Sequence, residues 1–249
     1  MRFTKSPKSE SSIASESNGN MLFGREKEIR KLVLNLRQGI HTLVFGAPGV
    51  GKSAILKEAA NRLSAQETAV VYVNNCRSRR ILLEEAVKIR QCINAQITNM
   101  SVKDLRNALL KSGEKQRLCL ILDHLPKLHH PLKRLLEIME ESCVLAFGVT
   151  GLPGSYDLYY WKFKSLEIKD FPRKAALSWI GTELRNMSYS KELEKTIASE
   201  IFRLTGGNPG STSQTLYAIR SQSVPIDDPI RIRRMFVDGK ISRPSDSSI

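Results

Sequence analysis

The chain has 249 residues, a net charge of +14 and 41% hydrophobic residues. That length holds one α/β domain and a small appendage rather than two full domains. No apolar run approaches the roughly 20 residues that span a bilayer. The N-terminus also lacks the apolar stretch of a secretory signal, so a membrane protein and an exported one are both excluded as expectations. Four scattered cysteines (Cys76, Cys92, Cys119, Cys143) without a CxxC pair point to reduced thiols in a cytoplasmic protein rather than disulfides or a metal site. Segments 1–20 and 221–249 carry +1 each, which leaves +12 on residues 21–220. A basic body of this kind favours a polyanionic partner such as nucleic acid, through phosphate contacts. Solubility alone is the other reading of the same charge.

Residues 1–20 are rich in Ser, Asn and Lys and predict a disordered segment. "FGREKEIRKLVLNLRQG" sets Ile29, Leu32, Val33 and Leu36 at helical spacing. A strand follows at 41–46, then the helix "KSAILKEAANRLS" and a second strand at 68–75. "RILLEEAVKIRQCI" and "SVKDLRNALLKSG" read as two helices. "RLCLILD" is a third strand, 117–123, and "PLKRLLEIMEE" a helix. "SCVLAFGVTG" is a fourth strand and "SLEIKD" a short fifth. Apolar runs such as "CLILD" fit strands covered on both faces. Strands alternating with helices predict an α/β, three-layer domain with a mostly parallel sheet over residues 21–171. From residue 172 three helical segments follow without a strand, a small all-α unit over 172–221. Pro172 suits a first helical position, and Gly206 and Gly207 a helix stop. In the tail, 222–249, "DDPIRIRRMF" reads as one more short helix.

"GAPGVGKS", Gly46–Ala47–Pro48–Gly49–Val50–Gly51–Lys52–Ser53, fits GxxxxGK[ST] between a strand and a helix. Glycines let backbone N–H groups turn toward the β- and γ-phosphates of a nucleotide, and the helix N-terminus adds its positive dipole end. Lys52 offers a point charge to the terminal phosphates, and the Ser53 hydroxyl a ligand to Mg²⁺. The second carboxylate that such a metal needs lies at the end of an apolar strand, at Asp123 in "LCLILD". The cofactors expected are ATP and Mg²⁺.

With both motifs placed, the chain resembles the AAA+ P-loop ATPases over roughly residues 21–220, and within them the Orc/Cdc-type initiators, the STAND and archaeal-type ATPases and the AAA+ transposition regulators. "FGREKEIRKL" resembles the segment near adenine, which implies base-side contacts for Phe23, Gly24 and Arg25. "VYVNNCRSRR" resembles the second strand with its basic turn. "LTGGNPG" resembles the motif between two lid helices, which makes 172–221 a helical lid and brings Pro209 to the nucleotide. The resemblance implies a γ-phosphate sensor at Thr150; capping of the strand end is the alternative role. Where hydrolytic relatives carry a glutamate after the strand aspartate, this chain has His124. It is either a base that positions water or a loop residue without a catalytic role. The lid motif has Pro209 and Gly210 where initiators place an arginine, and "YYWKFK" offers Lys162 and Lys164 in place of an arginine finger.

These departures predict ATP binding with weak or partner-dependent hydrolysis, in a nucleotide-controlled switch on DNA that assembles into a ring or filament and recruits a protein. Arg77, Arg79 and Arg80, together with Lys133 and Arg134 on the helix after Asp123, are the expected DNA-facing cations. Lys127, His129 and His130 crowd the same end of that helix. Adjacent histidines there point apart, so they predict no metal site. A STAND-like switch on a protein partner and a small-molecule P-loop kinase are the competing readings. Missing C-terminal repeats count against the former and the helical lid against the latter.

Overall fold

The computed structural model describes residues 22–65, 68–74, 80, 82–84, 101, 103–104, 106–107, 118–125, 130–141, 143–151, 162–221 and 228–237. The expectations for residues 1–20, for Arg77 and Arg79, for Lys127 and His129, for Cys76 and Cys92, and for most of the helices read over 80–93 and 101–113 lie outside them.

In chain order the elements are α1 (Glu26–Arg37), β1 (Thr42–Gly46), α2 (Lys52–Ser64), β2 (Ala69–Asn74), β3 (Leu118–Asp123), α3 (His130–Glu140), β4 (Cys143–Thr150), β5 (Lys164–Glu167), α4 (Arg173–Asn186), α5 (Lys191–Thr205), α6 (Pro209–Arg220) and α7 (Pro229–Val237). The strands form one sheet in the order β2-β3-β4-β1-β5, and every pair is parallel.

Strand alternation sorts the side chains into two layers. Leu118, Leu120 and Leu122 of β3, with Leu145 and Phe147 of β4, face a core closed by Leu132, Leu135, Leu136 and Met139 of α3 and by Leu82 and Leu83. The opposite parity, Cys119 and Ile121 with Val144 and Ala146, faces α1 and α2 through Ile29, Leu32, Leu36, Ile55, Leu56 and Leu63. All six residues of β3 are buried, as expected of a strand covered on both sides. The same alternation sends Asp123, two residues after Ile121, to the α2 face.

The lid has its own core. Trp179, Ile180 and Leu184 of α4, Ile197 and Ile201 of α5, Leu216 and Ile219 of α6 and Ile232 of α7 pack together with Phe171. Ser190 caps α5 by accepting from the Leu193 N–H, and Gly206 ends it in a left-handed turn, the usual stop for a helix. Asn208 caps α6, with Pro209 in its first turn. The tail helix α7 lies on α5, where Ile232 is fully buried and Arg233 Nε donates to Glu200 Oε1 at 2.6 Å.

Candidate nucleotide site

The C-terminal ends of β1, β3 and β4 meet at one edge of the sheet, with Gly46 opposite Thr150 in the register. Parallel α/β sheets place their ligands at this edge. The loop from Gly46 runs directly into α2, whose N-cap is Gly51 with no side-chain cap and whose first turn carries no acidic residue. The first N–H groups of α2 are therefore left for an anion.

Lys52 sits inside the loop. Its side chain is buried, and Nζ donates to the carbonyls of Gly46 at 3.0 Å and Ala47 at 2.8 Å. Burial lowers its pKa, and the Asp123 carboxylate opposes that shift. The ammonium is thus held over the loop by two neutral carbonyl acceptors, which an anionic phosphate oxygen can outcompete. Ser53, one residue on, is half-buried at the start of α2.

Asp123 is 1% exposed. Its Oδ1 accepts from the His124 N–H at 2.8 Å, and its Oδ2 accepts from the Tyr72 hydroxyl at 2.7 Å. Burial, followed by the hydrogen bond and charge of Asp123, pushes the Tyr72 phenol far above its ordinary 10, so it stays a donor. His124 adopts a left-handed backbone, φ 50°. Its Nδ1 lies 3.0 Å from Asn74 Oδ1 and 3.3 Å from Asp123 Oδ2. Thr150 ends β4 and is exposed.

Arg25 is almost fully buried. Its guanidinium donates to the Val50 carbonyl at 3.0 Å and the Lys169 carbonyl at 2.7 Å, and it lies 4.3 Å from the centroid of the Phe171 ring. One side chain therefore ties the start of α1, the phosphate loop and the segment leading into the lid. Phe23 packs against the lid core, and Gly24 is exposed in a left-handed turn between them. Beside the loop lies a cleft of about 750 Å³ lined by Gly46, Ala47, Pro48, Gly151, Lys169 and Asp170.

The lid reaches the loop directly. Asn208 Nδ2 donates to the Pro48 carbonyl at 3.0 Å and to Asp170 Oδ1 at 2.9 Å, while its Oδ1 accepts from the Ser211 N–H. The Gly210 N–H donates to the Gly49 carbonyl at 2.9 Å. A Cβ on Gly49 would stand 2.6 Å from Asn208 Oδ1, and one on Gly210 would stand 2.9 Å from Gly49 Cα. Pro209 is buried within this junction.

Lys162 is paired with Glu140 of α3, and Lys164 opens β5 as an exposed residue. Of the expected DNA-facing cations, Arg80 bonds Glu84 at 2.7 Å, Lys133 is half-buried and Arg134 exposed. Tyr72, Asn74, Asn208 and Gly210 are the residues that sequence reasoning left out of the site. For Asn74 and Tyr72 strand parity gives a shared face, and only the β2–β3 register brings that face to Asp123. For Asn208 the usable signal was the cap position before a first-turn proline.

A glycine loop between a parallel strand and a helix, with a buried lysine and a strand-end aspartate on the same face, defines a P-loop nucleotide-binding domain. Residues 22–144 match a family described as an ATPase domain predominantly from Archaea. The fold is that of an AAA+ P-loop ATPase, a parallel α/β sheet carrying a helical lid. No curated protein matches the sequence.

Among solved structures, a chain of the E. coli HORMA:CdnC:Trip13 complex superposes with a TM-score of 0.60 at 10% identity, over 90% of each chain. AMPPCP-bound DnaA from Aquifex aeolicus gives 0.56 at 16% identity, over 83% of this chain and 62% of that one. A DNA replication initiation factor gives 0.55 at 16% identity, over 78% and 59%. At these identities the likeness is one of fold, and the present chain spans about three fifths of the length of the latter two. Among the described residues no helix is long and apolar enough to cross a membrane.

Proposed function

We propose that the chain binds Mg²⁺–ATP at the Gly46–Ser53 loop and uses it as a switch on DNA, with hydrolysis that is slow or completed by a partner. The observation that carries this reading is the Lys52 ammonium, buried and resting on the Gly46 and Ala47 carbonyls on the Asp123 side of the sheet. The donor set fits the metal, because the Ser53 hydroxyl and the Asp123 carboxylate are hard oxygens of the kind Mg²⁺ takes alongside phosphates and water. When bound, that ion neutralises charge between the β- and γ-phosphates. Gly46, Ala47, Gly49, Val50 and Gly51 offer backbone N–H donors to the phosphates, while Pro48, which has none, shapes the loop. Phe23, Gly24 and Arg25 shape the base side, with Pro209 closing it from the lid.

Slow hydrolysis is supported by the residues around Asp123. His124, not a carboxylate, follows it, and one of its two ring nitrogens, Nδ1, lies 3.0 Å from Asn74 Oδ1. The cap of α6 is Asn208, followed by Pro209 and Gly210, so no lid cation stands there. Lys162 is engaged by Glu140. In this reading Thr150 senses the γ-phosphate and His124 orients water.

The DNA-facing surface is Arg77, Arg79, Arg80, Lys133 and Arg134, on a body that carries most of the +14 charge. Assembly into a ring or filament on DNA, with a protein partner, completes the proposal. A structural neighbour that is a DNA replication initiation factor supports this direction.

The test is calorimetric titration of ATP, paired with DNA binding across a salt series with and without a non-hydrolysable ATP analogue. Expected are ATP binding that Lys52→Ala abolishes, and DNA affinity that rises with the analogue and falls steeply with salt. Unchanged ATP affinity in Lys52→Ala overturns the site. ATP-dependent assembly with no DNA affinity at low salt turns the reading to a switch on a protein partner.

A further inference from the structure

Asp123 is a buried carboxylate with about four lone-pair sites, and such a group is costly unless it is bonded. Among the described residues two hydrogen bonds reach it, one on each oxygen: the His124 N–H to Oδ1 and the Tyr72 hydroxyl to Oδ2, with His124 Nδ1 a longer 3.3 Å from Oδ2. The first comes from the backbone and would be there with any residue at position 124 except proline. The second depends on one side chain.

The β2–β3 register explains how it gets there. Asn74 stands directly opposite Asp123, and Tyr72 opposite Ile121, so Tyr72 is the diagonal neighbour of Asp123 on the same face. Across a strand pair this diagonal is about 7–8 Å, within reach only of long side chains. Tyrosine spans it and ends in a donor. A phenylalanine would pack the same face against α2 equally well, so burial alone does not account for the hydroxyl.

We propose that Tyr72 is a positioning residue for the metal-binding carboxylate, orienting Asp123 toward Mg²⁺ and so setting the metal affinity of the nucleotide complex. This rests on the Mg²⁺–ATP reading above. Partners one shell out from a metal ligand typically change metal affinity 10–100-fold when removed.

The experiment measures the affinity of the full chain for a non-hydrolysable ATP analogue by calorimetry, first in EDTA and then across a Mg²⁺ series. In Tyr72→Phe the EDTA affinity stays within about twofold of wild type, and the half-saturating Mg²⁺ concentration rises about tenfold. In an Asp123→Asn background, Tyr72→Phe adds nothing to the Mg²⁺ dependence. An unchanged Mg²⁺ midpoint in Tyr72→Phe overturns the proposal. So does a parallel loss of both affinities, including through failure to fold, which assigns the hydroxyl a purely structural role. A wild-type chain whose nucleotide affinity ignores Mg²⁺ overturns the magnesium reading itself, and the two failures are told apart by that wild-type curve.

Discussion

Gly148 shows how tightly the Asp123 side of the sheet is built. It is buried in β4, and a Cβ there would lie 2.6 Å from Asp123 Oδ1 and 2.6 Å from Leu56 Cδ1. Both neighbours are packed, so neither can give way cheaply. Gly148→Ala is expected to cost about 1–3 kcal/mol in urea unfolding, as overpacking does, and to weaken Mg²⁺-dependent nucleotide binding by displacing the carboxylate. Arg25 is the other residue on which much depends. Lysine keeps its charge but cannot reach the Val50 and Lys169 carbonyls together while lying flat on Phe171. Arg25→Lys should therefore lose about 2 kcal/mol, the worth of one or two charge-assisted bonds, and loosen the lid along with the loop.

At the scale of elements, the junction between α5 and α6 holds the lid against the phosphate loop. Asn208→Ala removes a helix cap worth about 1 kcal/mol and also the bonds to Pro48 and Asp170. Hydrogen exchange in the first turn of α6 should speed up, and nucleotide affinity should change in the same variant. An exchange rate equal to that of wild type would mean that the Gly210–Gly49 bond holds the lid alone. On the far side of the lid, Ile232→Ala should cost about 2–4 kcal/mol, read by thermal unfolding, because Ile232 is the fully buried side chain among the described residues of α7. The elements themselves were legible in the sequence. β1 to β4 and α2 to α6 fall within a residue or two of the apolar periodicity, which core packing reinforces. What periodicity could not show was register, the property that brings Tyr72 and Asn74 to Asp123 and His124. Nor could spacing reveal that Arg25 turns inward, because, besides Glu28 three residues on, it bonds carbonyls 25 and 144 positions away in the chain.

For the molecule as a whole, the lid adds a pH-dependent contribution to stability. Glu200 of α5 is held by Arg203 first and Arg233 second, against the opposing effect of burial, and its carboxyl falls from the ordinary 4.5 to about 2. A carboxyl depressed on folding stabilises the fold fully above its unfolded value, and that contribution fades as the pH falls from about 4.5 toward 2. Wild type and Glu200→Gln should therefore differ in melting temperature at pH 6 and converge near pH 2. The strand order carries a further consequence. β1, which launches the phosphate loop, pairs only with β4 and β5, and β4 begins 101 residues after β1, at Cys143 against Thr42. On a ribosome adding about 5–20 residues per second, that strand waits on the order of 5–20 s for its first neighbour. For that interval β1 is an unpaired apolar strand of a nascent chain, and the sheet is completed last at its β5 edge.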